Sequence, residues 1–126
     1  MKLFVCLGAA AVAALTLVVT SSPTVAQTGA PPAFAACKAC HTVQKGGKNG
    51  VGPNLNGVAG RPAGSVPGFN YSAALKASKL RWDDATLNQF LAAPSKKVPG
   101  TRMPIGMADP AKRAAIIAYL KAEGAK

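Results

Sequence analysis

Cys37-Lys38-Ala39-Cys40-His41 is the most constraining run in this 126-residue chain. On a helix, residues three and four apart share a face, so this spacing presents two thiols and an imidazole together. C-x-x-C-H is the attachment signal of a c-type haem. Two thiols so placed can each add to one vinyl group on the haem edge, forming thioethers, while the histidine brings its imidazole beneath the iron. His41 is the only histidine, so any histidine ligand must be this one. Blander readings fare worse. A zinc site needs four ligands, and no second Cys pair or His pair completes it. A redox dithiol expects a βαβ pattern, which is absent. As a structural disulfide, the pair would close a loop too small to add much stability.

Upstream of this run, Lys2 is the lone early charge, and residues 3–19 are almost unbroken in apolar character. Ser21-Ser22-Pro23 breaks the run, and Thr24-Val25-Ala26 offers small residues before a cut. This layout predicts a secretory signal peptide over residues 1–26. The apolar run is slightly short for a bilayer span of about 20 residues, and Cys6 stands too early in it to be a lipidation site. Residues 27–126 then form one domain with one modest core. Losing only Lys2 leaves 14 basic residues against four acidic ones, a net charge of +10. Such a surface implies an anionic partner. Nucleic acid is the default for a small basic protein, but export leaves nucleic acid behind.

Downstream, residues 42–70 are punctuated by Gly46-Gly47, Asn49-Gly50, Gly52-Pro53-Asn54, Gly60-Arg61-Pro62 and Pro67-Gly68. These read as successive turns. A loop of that length inside a compact domain needs a reason, and wrapping a cofactor is one. Helical signals are few and local. Pro31 or Pro32 opens a first helix that runs through Phe34 into Cys37. A short segment follows over Ser72–Ala77. Asp83-Asp84 cap a third, with Leu87, Phe90 and Leu91 at i, i+3, i+4 and Pro94 ending it. A second loop is expected over residues 95–108. Asp109 and Pro110 then start the last helix, Ile116, Ile117 and Leu120 form its apolar stripe, and Gly124 marks its end. No strand pattern is found. The fold class is all-α, with three to five helices and long loops wrapped around one covalent haem.

The sixth position of the iron separates a carrier from a catalyst. A methionine thioether is a soft axial ligand that raises the reduction potential. Met103 and Met107, both in the second loop, are the candidates, and gap-filling in the core is the blander role of either.

Several further stretches carry a resemblance: Gln44-Lys45-Gly46-Gly47, Gly52-Pro53-Asn54-Leu55, Gly60-Arg61, Pro67-Gly68-Phe69-Asn70-Tyr71, Trp82, Pro99-Gly100-Thr101-Arg102-Met103 and Ile117-Ala118-Tyr119-Leu120-Lys121. Together with the attachment motif they resemble class I c-type cytochromes, the mitochondrial proteins and their closest bacterial monohaem relatives. The likeness covers nearly all of residues 27–126. It implies that Met103 is the axial methionine and that the Pro53 carbonyl accepts the second ring N–H of His41. It also implies that Arg61, Tyr71 and Trp82 surround the haem propionates and that the Thr101 hydroxyl lies beside the axial methionine. Without it, Arg61 would read as a solvated charge, and Tyr71 and Trp82 as core. The C-terminal helix is expected to cross the N-terminal one, with Phe34 against Ile116, Tyr119 and Leu120.

Some positions depart from that pattern. Phe90 stands where mitochondrial relatives carry a tyrosine that bonds the methionine sulfur. Leu75 replaces an asparagine of an internal water network, which predicts a drier haem face. Phe34 is shifted by one residue relative to the first cysteine. The segment after Met103 is one residue shorter, and Ile105 falls about where those proteins carry a phenylalanine.

The resemblance implies a periplasmic single-electron carrier and no enzyme. Its basic surface, including Lys38, Lys45, Lys96, Lys97 and Arg102, would steer the haem edge toward acidic docking sites on redox proteins such as a quinol–cytochrome c oxidoreductase or a cytochrome oxidase. A monomer with at most peripheral membrane contact is expected. The alternative is a tightly bound subunit of a periplasmic dehydrogenase or terminal oxidase. An open-iron haem enzyme or gas sensor of the class II type is disfavoured, since there the attachment motif lies near the C-terminus.

Overall fold

Pro31 caps a 3₁₀ turn over Pro32–Phe34 that runs directly into α1 (Ala35–Lys38). The missing N–H of Pro32 costs nothing at a helix start, where it would have no intrahelical partner. The helical pattern outlasts α1: the His41 N–H donates to Cys37 O at 3.0 Å. That bond keeps Cys37, Cys40 and His41 on one face. The computed structural model describes residues 29–126; the expected signal peptide over 1–26 lies outside them.

The remaining helices are α2 (Ala73–Ala77), α3 (Asp84–Ala92), α4 (Pro94–Lys97) and α5 (Pro110–Gly124). Two begin on the caps expected from the sequence, Asp83 and Asp109, and α2 begins on a serine cap, Ser72, expected only as the first residue of its segment. Ser72 Oγ accepts from Leu75 N, Asp83 Oδ1 from Thr86 N at 2.7 Å, and Asp109 from Ala111 N and Lys112 N. Each cap satisfies amides that a helix start would otherwise leave unpaired.

Helix α4 corrects the loop expected over 95–108. Pro94 does end α3, because Ala93 leaves helical geometry at φ −155°. The same proline then occupies the first position of a new turn, where its fixed φ is already helical. Val98, immediately after, is buried and anchors that turn. Among the described residues there is no strand, only an isolated antiparallel bridge between Pro62 and Arg81. It sits in a short ladder: Gly60 N–H to Trp82 O at 2.7 Å, Trp82 N–H to Arg61 O at 2.9 Å, and Ala63 N–H to Leu80 O at 2.8 Å.

Helix α5 packs on α3 and on the N-terminal turn. Its Ile116, Ile117 and Leu120 are buried, each contributing about 1.5–3 kcal/mol relative to exposure. Phe34 is fully buried and meets Tyr119 edge-on, ring centroids 4.8 Å apart. The crossing expected for Phe34 therefore forms despite its one-residue shift. Near the end of α5, a Cβ on Gly124 would lie 2.9 Å from Gly57 Cα, so the absence of a side chain at Gly124 lets helix and loop touch backbone to backbone. The helices thus enclose one side of the molecule and the turn-rich segments the other. A cavity lies between them.

Candidate haem site

The cavity has a volume of about 300 Å³ and is lined mainly by hydrocarbon. His41 enters it from the turn after α1. Its Nδ1 lies 2.7 Å from Pro53 O. A carbonyl can only accept, so Nδ1 carries a proton, and in the neutral ring Nε2 keeps its lone pair. Gly52 explains how the chain comes so close: a Cβ there would stand 2.2 Å from His41 Cε1 and 2.7 Å from Nε2. Only glycine lets the backbone lie against the imidazole. Gly52 N–H also donates to Cys40 O at 2.8 Å, tying this turn back to the motif.

Cys37 and Cys40 both line the cavity, half-buried and outside any disulfide. Burial pushes the Cys37 thiol above its ordinary range, and the neighbouring Cys40 adds to the effect. The two sulfurs are thus unjoined and sit at the cavity edge.

Both methionines of the second loop reach the cavity, and both are half-buried. Thr101 Oγ1 accepts from Met103 N–H at 3.3 Å, and Met107 N–H donates to Leu91 O at 2.7 Å. Pro104 restricts Met103 to extended backbone and stiffens the strap.

Arg61 donates through Nη1 to Asn56 O at 2.9 Å and through Nη2 to Asn54 O at 3.2 Å, while also lining the cavity. Burial lowers its pKa, a trend that Tyr71 opposes; the guanidinium stays charged at any ordinary pH. Tyr71 Oη accepts from Val66 N–H at 3.1 Å, which leaves its own proton to donate elsewhere. Phe69 packs edge-on against its ring, centroids 4.8 Å apart. Trp82 is buried with its ring centroid 4.9 Å from that of Phe90. Phe90 and Leu75 both line the cavity as hydrocarbon. All nine residues singled out from the sequence border this cavity or its lining: Cys37, Cys40, His41, Pro53, Arg61, Tyr71, Trp82, Thr101 and Met103.

Three residues were given no role of their own in the sequence reading. Asn54 Nδ2 donates to Thr42 Oγ1 at 2.7 Å and to Gln44 O at 3.0 Å, while its Oδ1 accepts from Asn56 N–H at 2.9 Å. Asn56 Nδ2 bridges Val43 O at 3.2 Å and Glu123 O at 3.0 Å. Asparagines in a Gly-Pro-Asn-Leu-Asn run are turn formers whose side chains bond nearby backbone, which was the available signal. The third, Arg113, is a buried cation on α5. It lies at i relative to Ile116, Ile117 and Leu120 at i+3, i+4 and i+7. A charge on an apolar stripe was legible from periodicity alone.

The donor set fits a haem. An apolar cavity suits a porphyrin body, the paired thiols suit its vinyl groups, and an imidazole with a free Nε2 suits its iron. Arg61, Tyr71 and Trp82 offer a cation, a hydroxyl and an N–H for its carboxylates. No acidic side chain lines the cavity.

Comparison with known proteins agrees. Residues 26–123 match the cytochrome c family. Cytochrome c2 of Rhodoblastus acidophilus is 54% identical over 97 residues, covering 74% of this chain and 91% of that protein. Cytochrome c of Sesamum indicum is 49% identical over 86 residues, covering 68% of this chain and 78% of that protein. Among solved structures, cytochrome cH from Methylobacterium extorquens superposes with a TM-score of 0.67 at 56% identity, covering 71% of this chain and 91% of that one.

Proposed function

The chain belongs to the cytochrome c family, and from that premise we propose a periplasmic single-electron carrier whose one haem is ligated axially by His41 and Met103. Members of the family are electron carriers rather than enzymes and hold haem c through cysteines, for which Cys37 and Cys40 stand at the right spacing. The observation that carries the ligand assignment is one apolar cavity shared by an imidazole with a free Nε2 and the strap of Met103.

Bound haem supplies the ferric–ferrous couple. His41 and Met103 would hold its iron from the two sides of the cavity, which would leave no position for oxygen, peroxide or substrate. Pro53 O holds the Nδ1 proton of His41, which fixes the tautomer and makes the ligand more electron-rich. Arg61, which lines the cavity, would neutralise propionate charge, and the Tyr71 hydroxyl and Trp82 N–H would donate hydrogen bonds beside it. Thr101 steadies the backbone of Met103 through its hydroxyl. Leu75 and Phe90 exclude water from the cavity.

Export to the periplasm rests on the signal-peptide pattern of residues 1–26. The docking partners are acidic surfaces of redox proteins, a quinol–cytochrome c oxidoreductase or a cytochrome oxidase among them, met by a monomer. Lys38, Lys45, Lys96 and Arg102 are exposed. All four acidic residues stand on or beside α3 and α5, away from the cavity lining.

Absorption spectra of methionine variants test the ligand set. Met103→Ala is expected to abolish the weak far-red band of a ferric iron–methionine bond and to lower the reduction potential. Met107→Ala is expected to keep the band. The reverse pattern would overturn the assignment.

A further inference from the structure

Arg113 is 9% exposed and sits on the apolar stripe of α5. No carboxylate pairs with it among the described residues. Burying a cation without an anion is unfavourable unless hydrogen bonds replace its lost water. Arg113 has three such bonds, and where they go is informative. Nε donates to Asn88 Oδ1 of α3 at 2.8 Å, and Nη1 donates to Met107 O at 2.8 Å and to Ala108 O at 2.6 Å. One planar fork therefore joins α3, α5 and the C-terminal end of the methionine strap.

The strap has little else of its own. Among the described residues, Ile105 and Gly106 donate no hydrogen bond, and Pro104 has no N–H. Met107 N–H to Leu91 O is the one main-chain bond the strap donates between Met103 and Ala108. At the other end, Arg102 Nη1 donates to Asn70 O at 3.0 Å and Nη2 to Tyr71 O at 3.3 Å, from an exposed position. The strap is thus held at both ends by arginines. The inner one is buried and held by three hydrogen bonds. The outer one competes with water.

We propose that Arg113 is the positioning residue that holds the Met103–Ala108 strap closed, governing how readily an external ligand reaches the sixth coordination position, with Arg102 as a weaker outer hold. The proposal deepens the functional reading above and rests on methionine ligation. Lysine could not replace the inner arginine, because a single ammonium lacks the planar fork that serves α3 and the strap together.

The test uses the mature ferric holoprotein with imidazole as the external ligand. The limiting rate of imidazole binding, approached at high imidazole concentration, reports strap opening and is followed by loss of the far-red band. Hydrogen bonds to a charged group that is taken out of water are the stronger ones. Arg113→Gln is therefore expected to raise the limiting rate about tenfold or more, and Arg102→Gln only about two- to threefold. Arg113→Lys, which keeps the charge, is expected to fall between wild type and Arg113→Gln, and it serves the same test if the glutamine variant does not mature. Asn56→Ala, a change remote from the strap, controls for general destabilisation and is expected to leave the rate near that of wild type. If the Arg113 variants open no faster than Asn56→Ala, the clamp is overturned. Absence of the far-red band in the wild type would overturn methionine ligation, and is read before any arginine variant is made.

Discussion

The two sides of the haem cavity are built on different plans. The histidine side, residues 41–61, braces itself. Leu55 N–H reaches Thr42 O at 2.8 Å, Gly52 N–H reaches Cys40 O at 2.8 Å, and His41 reaches Pro53 O at 2.7 Å. Asn54, Asn56 and Arg61 cross-link the same turns. The methionine side, residues 98–108, has only two short internal bonds, Thr101 N–H to Val98 O and Met103 N–H to Thr101 Oγ1, and is otherwise tied to the rest of the molecule through Leu91 O, Arg113 and its own Arg102. A segment with many internal bonds shares out the loss of one of them. A segment with few tethers opens when one fails. Ligand exchange is therefore expected at Met103, whereas the loss of a single brace on the histidine side is expected to lower stability without opening that side.

The largest expected effect breaks the histidine side sterically. Gly52→Val places a branched side chain where even a Cβ would stand 2.2 Å from the imidazole. Pro53 O and the cysteine turn hold that ring, so it cannot retreat. Covalent haem per chain, measured after export, is expected to fall to a small fraction of wild type. The milder Gly52→Ala is expected to destabilise by about 3 kcal/mol or more in denaturant titration, at or above the usual range for overpacking. An alanine variant with normal yield and a loss below about 1 kcal/mol would show that the imidazole is not confined.

A smaller effect sharpens the contrast by removing one brace. Asn56→Ala deletes the side-chain bonds to Val43 O and Glu123 O. A loss of about 1–2 kcal/mol is expected, the lower part of the range for unpairing carbonyls, since these two are only partly buried. The far-red band should survive at neutral pH. Its loss in this variant would mean that the two sides are coupled.

Charge offers a third comparison. Lys38 and Lys45 flank the histidine side, and Lys96 and Lys97 lie on α4 beside the strap; Lys97 is already bonded to Gln89 Oε1 at 2.6 Å. Electron-transfer rates with an acidic partner are expected to fall steeply with added salt. Neutralising Lys96 and Lys97 together should flatten that dependence, and doing the same for Lys38 and Lys45 shows whether both sides dock. A wild-type rate indifferent to salt would assign the basic surface to solubility instead.

The smallest effect lies in α3, which carries Leu91. Hydrogen bonds from Thr86, from its backbone N–H first, hold the Asp83 carboxyl below the ordinary carboxylate range. A depressed folded pKa means that the cap stabilises fully above the unfolded pKa. That contribution fades as pH falls through the folded value. Asp83→Ala should thus lower the melting temperature slightly at neutral pH, with the gap to wild type closing in acid. A gap independent of pH would show that the carboxylate charge is irrelevant to the cap.

The attachment motif was legible because its meaning lies in spacing: three and four residues along a helix share a face wherever that helix sits. Helix starts at Asp83 and Asp109 were legible for a similar reason, since a cap bonds amides two or three residues away. Helix α4 was missed because Pro94 reads as a stop, and only the geometry of Ala93 and the burial of Val98 turn it into a start as well. The ladder of residues 60–63 with 80–82 carries no strand periodicity, being too short to show any.

The chain by itself therefore determined the haem-binding chemistry, the all-helical class and the places where most helices begin, because each depends on residues within a turn or two of one another. Tertiary structure alone decided why residue 52 must lack a side chain, how Asn56 joins the first loop to the end of α5, and what the buried charge of Arg113 holds. Those facts arise where segments distant in sequence come within van der Waals or hydrogen-bond reach, and short-range rules of spacing and capping carry no information about such meetings.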